Sequence, residues 1–172
     1  EDTLSLPSAI NSAGHIVGLV QGPELSRRPF LWTHAEGFQT LDLPAALPLG
    51  SATDINDEGD ILIGAWFNPS EPRAFLRRAN GAVQELAMDS ATVSATALND
   101  ERVVVGYVMI TDVGLRGFRW TAEGGFTLLE HGGTYTVPRD INAAGSIAAD
   151  RTTGADREAV VVHPDDSLVV LP

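Results

Sequence analysis

The chain has 172 residues, 44 % of them hydrophobic, and a formal charge of −12 from 23 acidic and 11 basic side chains. That is the size of one domain with enough apolar content for a core, and no apolar run approaches the roughly 18 residues of a membrane-spanning helix. The acidity disfavours nucleic-acid backbone and anionic membrane surface as partners, because both need a positive patch, and the absence of cysteine excludes disulfides, thiolate-ligated zinc and thiol catalysis.

No charged segment followed by an apolar stretch opens the chain, so any export leader is expected outside these residues. Residues 3–6 form the first expected strand, with a sequence like that of 40–43. Next comes Ala9-Ile10-Asn11-Ser12-Ala13-Gly14, the chemistry of a tight turn: Asn caps its own turn and Gly supplies positive φ. The β-branched run 15–20 suits a pleated, buried surface. The loop 21–27 then leads to a strand at 29–32, a turn at 34–37 and a strand at 38–43.

The order then recurs. Asp54-Ile55-Asn56-Asp57-Glu58-Gly59 precedes strands at 60–67, 74–77 and 82–86, the last two joined by Asn80-Gly81, the strongest hairpin signal in the chain. Ala97-Leu98-Asn99-Asp100-Glu101-Arg102 precedes strands at 103–109, 117–120 and 126–129. Asp140-Ile141-Asn142-Ala143-Ala144-Gly145 precedes strands at 146–150, 159–162 and 167–171. The asparagines lie 45, 43 and 43 residues apart. A second landmark keeps step with them: Arg28-Pro29-Phe30, Arg73-Ala74-Phe75, Arg116-Gly117-Phe118 and Arg157-Glu158-Ala159.

Four antiparallel strands in every ~40–45 residues is the period of a propeller blade, and no helical periodicity competes with it. The expected fold is all-β, a β-propeller of four four-stranded antiparallel blades in one repeat domain. The blades span approximately 8–44, 51–87, 93–130 and 137–172, with 3–6 an extra outer strand. Because 167–171 already completes the last blade, one outer strand is surplus. The alternative is a partial propeller that closes by oligomerisation or belongs to a longer array.

The run Ala9-Ile10-Asn11…Gly14-His15-Ile16-Val17-Gly18…Arg28-Pro29-Phe30-Leu31-Trp32 resembles the HAF-repeat family of predicted bacterial extracellular proteins, as does Ile55-Asn56…Gly59…Ile63-Gly64…Arg73-Ala74-Phe75-Leu76. The resemblance covers nearly the whole chain. It implies export to the periplasm or cell exterior and a propeller-like fold, and it implies no activity, cofactor or catalytic residue. The departures are Arg at the family's His position in all four copies, Arg102 at a turn Gly, and Ala149 and Ala159 at the strand Gly and Phe of the fourth copy.

Shared residues are what every blade needs to fold, so a site is sought in what differs. The Asp54–Asp60 run matches half of a calcium loop, but Ala65 stands where the closing bidentate Glu belongs, and the repeat explains the run as a turn. Arg28, Arg73, Arg116 and Arg157 at equivalent positions form either a ring of guanidiniums facing an anionic ligand or ion pairs within the blades. Trp66, Tyr107 and Asp150 break the symmetry beside the variable loops 21–27, 68–72, 110–115 and 151–156. These seven residues are the candidate ligand contacts. The histidines share no metal-binding spacing and no nucleophile elbow occurs, so no metal, cofactor or catalytic residue is expected. The sequence therefore reads as a non-enzymatic binding or interaction module with a protein or glycan partner. Its alternatives are a carbohydrate-active hydrolase or lyase and a purely structural spacer. Self-association through the surplus edge strand is a further expectation.

Overall fold

The structure, a computed structural model, describes residues 4–22, 26–44, 47–131 and 135–172. Two compact units divide it, Glu1–Ala87 and Met88–Pro172. In the first, β1 (Leu4–Ile10), β2 (Ile16–Gln21), β3 (Arg27–Thr33) and β4 (Gly37–Thr40) form one sheet, and β5 (Leu49–Ile55), β6 (Ile61–Trp66), β7 (Pro72–Arg77) and β8 (Val83–Leu86) form another. In the second, β9 (Ala91–Leu98), β10 (Val104–Ile110), β11 (Gly114–Thr121) and β12 (Gly125–Leu129) form a sheet, as do β13 (Tyr135–Ile141), β14 (Ile147–Thr153), β15 (Asp156–Val162) and β16 (Leu168–Val170). Every sheet is an antiparallel meander in chain order, the architecture of a propeller blade.

Each blade starts on the same turn. The Asn11 carbonyl accepts from Gly14 N–H, its side-chain Oδ1 accepts from His15 N–H, and Gly14 sits at φ 76°. Asn56, Asn99 and Asn142 repeat all of this, with Gly59 and Gly145 in the same left-handed conformation. Arg102 fills the glycine position of the third turn at φ 61°, so the turn survives without its glycine at the cost of backbone strain.

A bulge recurs three residues before each Asn. Ser8, Thr53, Thr96 and Arg139 fall at the register shifts of β1, β5, β9 and β13. An extra residue there bends the innermost strand and re-aims its own side chain. In the middle two blades the bulged Thr donates its hydroxyl to the carbonyl of Leu62 or Val105.

Each unit has its own core. Val17, Leu41, Leu47, Ile55, Ile61, Ile63 and Phe75 cluster in the first, and Val105, Leu129, Ile141, Ile147, Val160 and Val162 in the second. Stacking blade on blade buries β-branched faces that a single blade leaves wet.

Two expectations need correction. Residues 4–6 are not an extra outer strand: Leu4, Ser5 and Leu6 pair with Gln21, Val20 and Leu19, so they begin β1 and the first blade starts at Leu4 rather than 8. Thr3 and residues 23–25 of the loop 21–27 lie outside the described residues. The fourth copy is also one residue out of step. Phe30, Phe75 and Phe118 pair with the residue seven after their Asn, and in the fourth blade that partner, Ala149, pairs with Val160, not Ala159. Glu158 therefore occupies the position of Arg28, Arg73 and Arg116, and Arg157 projects to the opposite face, because side chains alternate along a strand.

Candidate functional site

That register shift builds a cleft in the second unit. On β13, Tyr135, Val137 and Arg139 alternate and share one side of the strand. Asp150 of β14 lies opposite Val137, and Arg157 of β15 lies opposite Thr152, which itself pairs with Tyr135. From the neighbouring blade come Tyr107 of β10, opposite Gly117, and Leu115 of β11. The two blades meet closely at Gly117, where a Cβ would stand 2.3 Å from the Thr136 carbonyl oxygen. Tyr107, Leu115, Tyr135, Val137, Arg139 and Arg157 enclose about 310 Å³.

The charges in this cleft are concentrated on one carboxylate oxygen. Arg139 donates to Asp150 Oδ2 at 2.6 Å, and Arg157 donates to the same oxygen. The Arg157 hydrogen bond, with Arg139 behind it, holds Asp150 below the usual carboxylate range, and Asp150 in turn raises Arg157. Two permanent cations share one anion, which leaves a local surplus of about one positive charge in a chain of −12. Both guanidiniums are exposed, and each has five N–H donors to offer.

The structure thus brings together Tyr107, Asp150 and Arg157 of the seven sequence candidates. The others are placed differently. Arg73 makes a forked pair with Glu85 on the next strand and lies 5.5 Å from the Phe75 ring, so its charge is spent within its blade. Arg116 lies opposite Val108 and donates to the Leu115 carbonyl. Arg28 lies exposed opposite Val20, and Trp66 is half-buried at the end of β6 between Leu49 and Pro72. The calcium-like run is built as a turn, with Asp54 and Asn56 accepting backbone N–H groups and the buried Asp60 accepting from Arg78 and Ala79. Among the described residues no group of three His, Cys, Asp or Glu is placed to hold a metal ion, and no helix is long and apolar enough to cross a membrane.

Sequence reading misses Tyr135 and Arg139. Their signal is the repeat itself: Arg139 stands where the other copies have Ser8, Thr53 and Thr96, and Tyr135 where they have Leu4, Leu49 and Thr92.

No protein-family model matches the chain, and no curated protein matches it. Solved structures do. TolB from Acinetobacter baumannii superposes with a TM-score of 0.71 at 18 % identity over 99 % of this chain and 43 % of its own. A protein assigned as TolB from Agrobacterium tumefaciens gives 0.68 at 14 % identity over 100 % of this chain and 62 % of its own. A streptogramin B lyase gives 0.57 at 13 % identity, over 99 % and 58 %. The chain spans less than two-thirds of each of these longer proteins. They are β-propellers, and the likeness establishes that fold for this chain.

Proposed function

We propose that the protein is a non-enzymatic binding module whose cleft between β10–β11 and β13–β15 takes a small carboxylate-bearing ligand, such as an acidic sugar. The observation that carries this reading is the pair Arg139 and Arg157 on one oxygen of Asp150, beside two tyrosines. Guanidiniums offer forked donors that match a carboxylate, and tyrosine supplies an apolar ring with a polar tip. The charged groups suit binding better than proton transfer. Arginine does not deprotonate, and a carboxylate held ionised by two cations makes a poor acid or base near neutral pH.

Residence outside the cytoplasm is part of the same reading, supported by the resemblance to HAF repeats. Calorimetry with uronic-acid oligosaccharides and their neutral counterparts tests the ligand class. Acidic sugars should bind, and Arg157→Ala and Arg139→Ala should each weaken them about 10- to 100-fold, the loss of one charged hydrogen bond at roughly 1.5–3 kcal/mol. Equal binding of the neutral sugars, or turnover of either, would replace this reading.

A further inference from the structure

The carboxylate in the cleft is not something a blade needs in order to fold. By register Asp150 lies opposite Val137, as Leu19 lies opposite Leu6, Gly64 opposite Ser51 and Tyr107 opposite Ser94. The other three copies thus build the same strand position without a charge. Nor do its ion pairs add much to the sheet. The Asp150 side chain is 26 % exposed, and those of Arg139 and Arg157 are 53 % and 64 % exposed, the range in which an ion pair contributes little to stability.

What the carboxylate does change is the charge that a ligand meets. Arg139 and Arg157 both end on Asp150 Oδ2, and Asp150 is held ionised, so the three groups together carry one net positive charge near neutral pH. A ligand with a single carboxylate cancels that charge. A dianion brings a second negative charge beside the Asp150 carboxylate, and in a partly enclosed cleft that charge loses water without gaining a partner. A like charge built into a site discriminates between ligands by penalising the wrong one.

Resting on the reading of this cleft as a carboxylate site, we infer that Asp150 is its charge-selecting residue. It holds the cleft to singly charged ligands, such as a sugar with one uronic carboxylate, and turns away dianions such as sugar phosphates.

Calorimetry with three sugars that differ only at C6 tests this at about pH 7.5: neutral methyl glucoside, singly charged methyl glucuronide, and methyl glucoside 6-phosphate, which carries close to two charges because its second pKa is about 6. Wild type should bind the glucuronide more tightly than the phosphate. Removing a unit charge about 4 Å from the ligand is worth about fivefold in affinity per unit of ligand charge in a water-like medium. Asp150→Asn should then gain about fivefold for the glucuronide and about 25-fold for the phosphate, moving the preference about fivefold towards the dianion. A carboxylate that only held the arginines in place would, on removal, weaken both anions by the same factor. Arg139→Gln lowers the charge of the cleft and should move the preference the other way. The double variant Asp150→Asn/Arg139→Gln has the wild-type charge and should return it close to the wild-type value. Circular dichroism should show native folds, since other copies hold the two positions with uncharged residues, and Arg139→Gln alone still carries the test if Asp150→Asn does not fold. A wild type that prefers the phosphate, a preference unmoved in the single variants, or a double variant that stays shifted would each overturn the inference while leaving the anion site standing. A wild type that binds neither anion, or binds the neutral glucoside equally well, removes the anion site and the inference with it.

Discussion

One side chain type carries much of this fold. Asn11 closes its own turn through Oδ1 and ties the next blade through Nδ2, and the bond to the next blade is buried, where water is a poor substitute. Asn11→Ala should therefore cost about 2 kcal/mol, since it removes the bond to the partly buried His15 N–H and the bond to the Asn56 carbonyl together; urea unfolding monitored by tryptophan fluorescence measures it. Asp150 makes a prediction about pH. Its carboxyl titrates lower in the folded protein than in the unfolded chain, so it contributes stability that is present above the unfolded value of about 3.9 and is lost as pH falls through the folded one. Wild type should be more stable than Asp150→Asn at pH 7, and the two stability curves should converge below about pH 4.

Between neighbouring strands, small differences between copies decide what each blade can do. At the position seven after the Asn, Gly18 and Gly106 come so close to the adjoining strand that a Cβ would lie 2.0 Å from the Leu6 carbonyl oxygen or 2.2 Å from that of Ser94. Gly64, one position along in the second blade, has open space around it. Gly106→Ala should then destabilise by about 3 kcal/mol, because backbone must move, whereas Gly64→Ala should stabilise by roughly 0.5 kcal/mol through the unfolded chain. Thermal denaturation of the pair separates a glycine required by packing from one that is merely tolerated. The bulge makes a similar distinction. Where it holds Thr53 the side chain bonds backbone of its own blade, where it holds Thr96 it also reaches the Pro138 carbonyl of the next blade, and where it holds Arg139 it carries a charge to the cleft.

For the molecule as a whole, the charge of −12 sets conditions on the capture of an anionic ligand. A carboxylate nearing the cleft is repelled by that net charge and drawn by Arg139 and Arg157, and the screening length shortens from about 30 Å at 0.01 M salt to about 8 Å at 0.15 M. Raising ionic strength over that range should weaken the capture of a carboxylate by Arg139 and Arg157, as calorimetry at the two salt concentrations would show.

The sequence by itself determined the repeat, its all-β character and the turn chemistry, because these depend on residues close together in the chain: Asn and Gly three apart, β-branched runs, and a fixed period. It also marked Tyr107, Asp150 and Arg157 as residues that differ between copies or carry charge. Only the tertiary structure decided that these three share a cleft, that Arg139 and Tyr135 join them, and that Arg73 does not. The reason is register. Aligned by sequence, Arg157 matches Arg73, but pairing across β14 and β15 puts Glu158 in that place and turns Arg157 to the other face. A shift of one residue is nearly invisible in a linear pattern, and in a pleated sheet it reverses the direction of every side chain it touches.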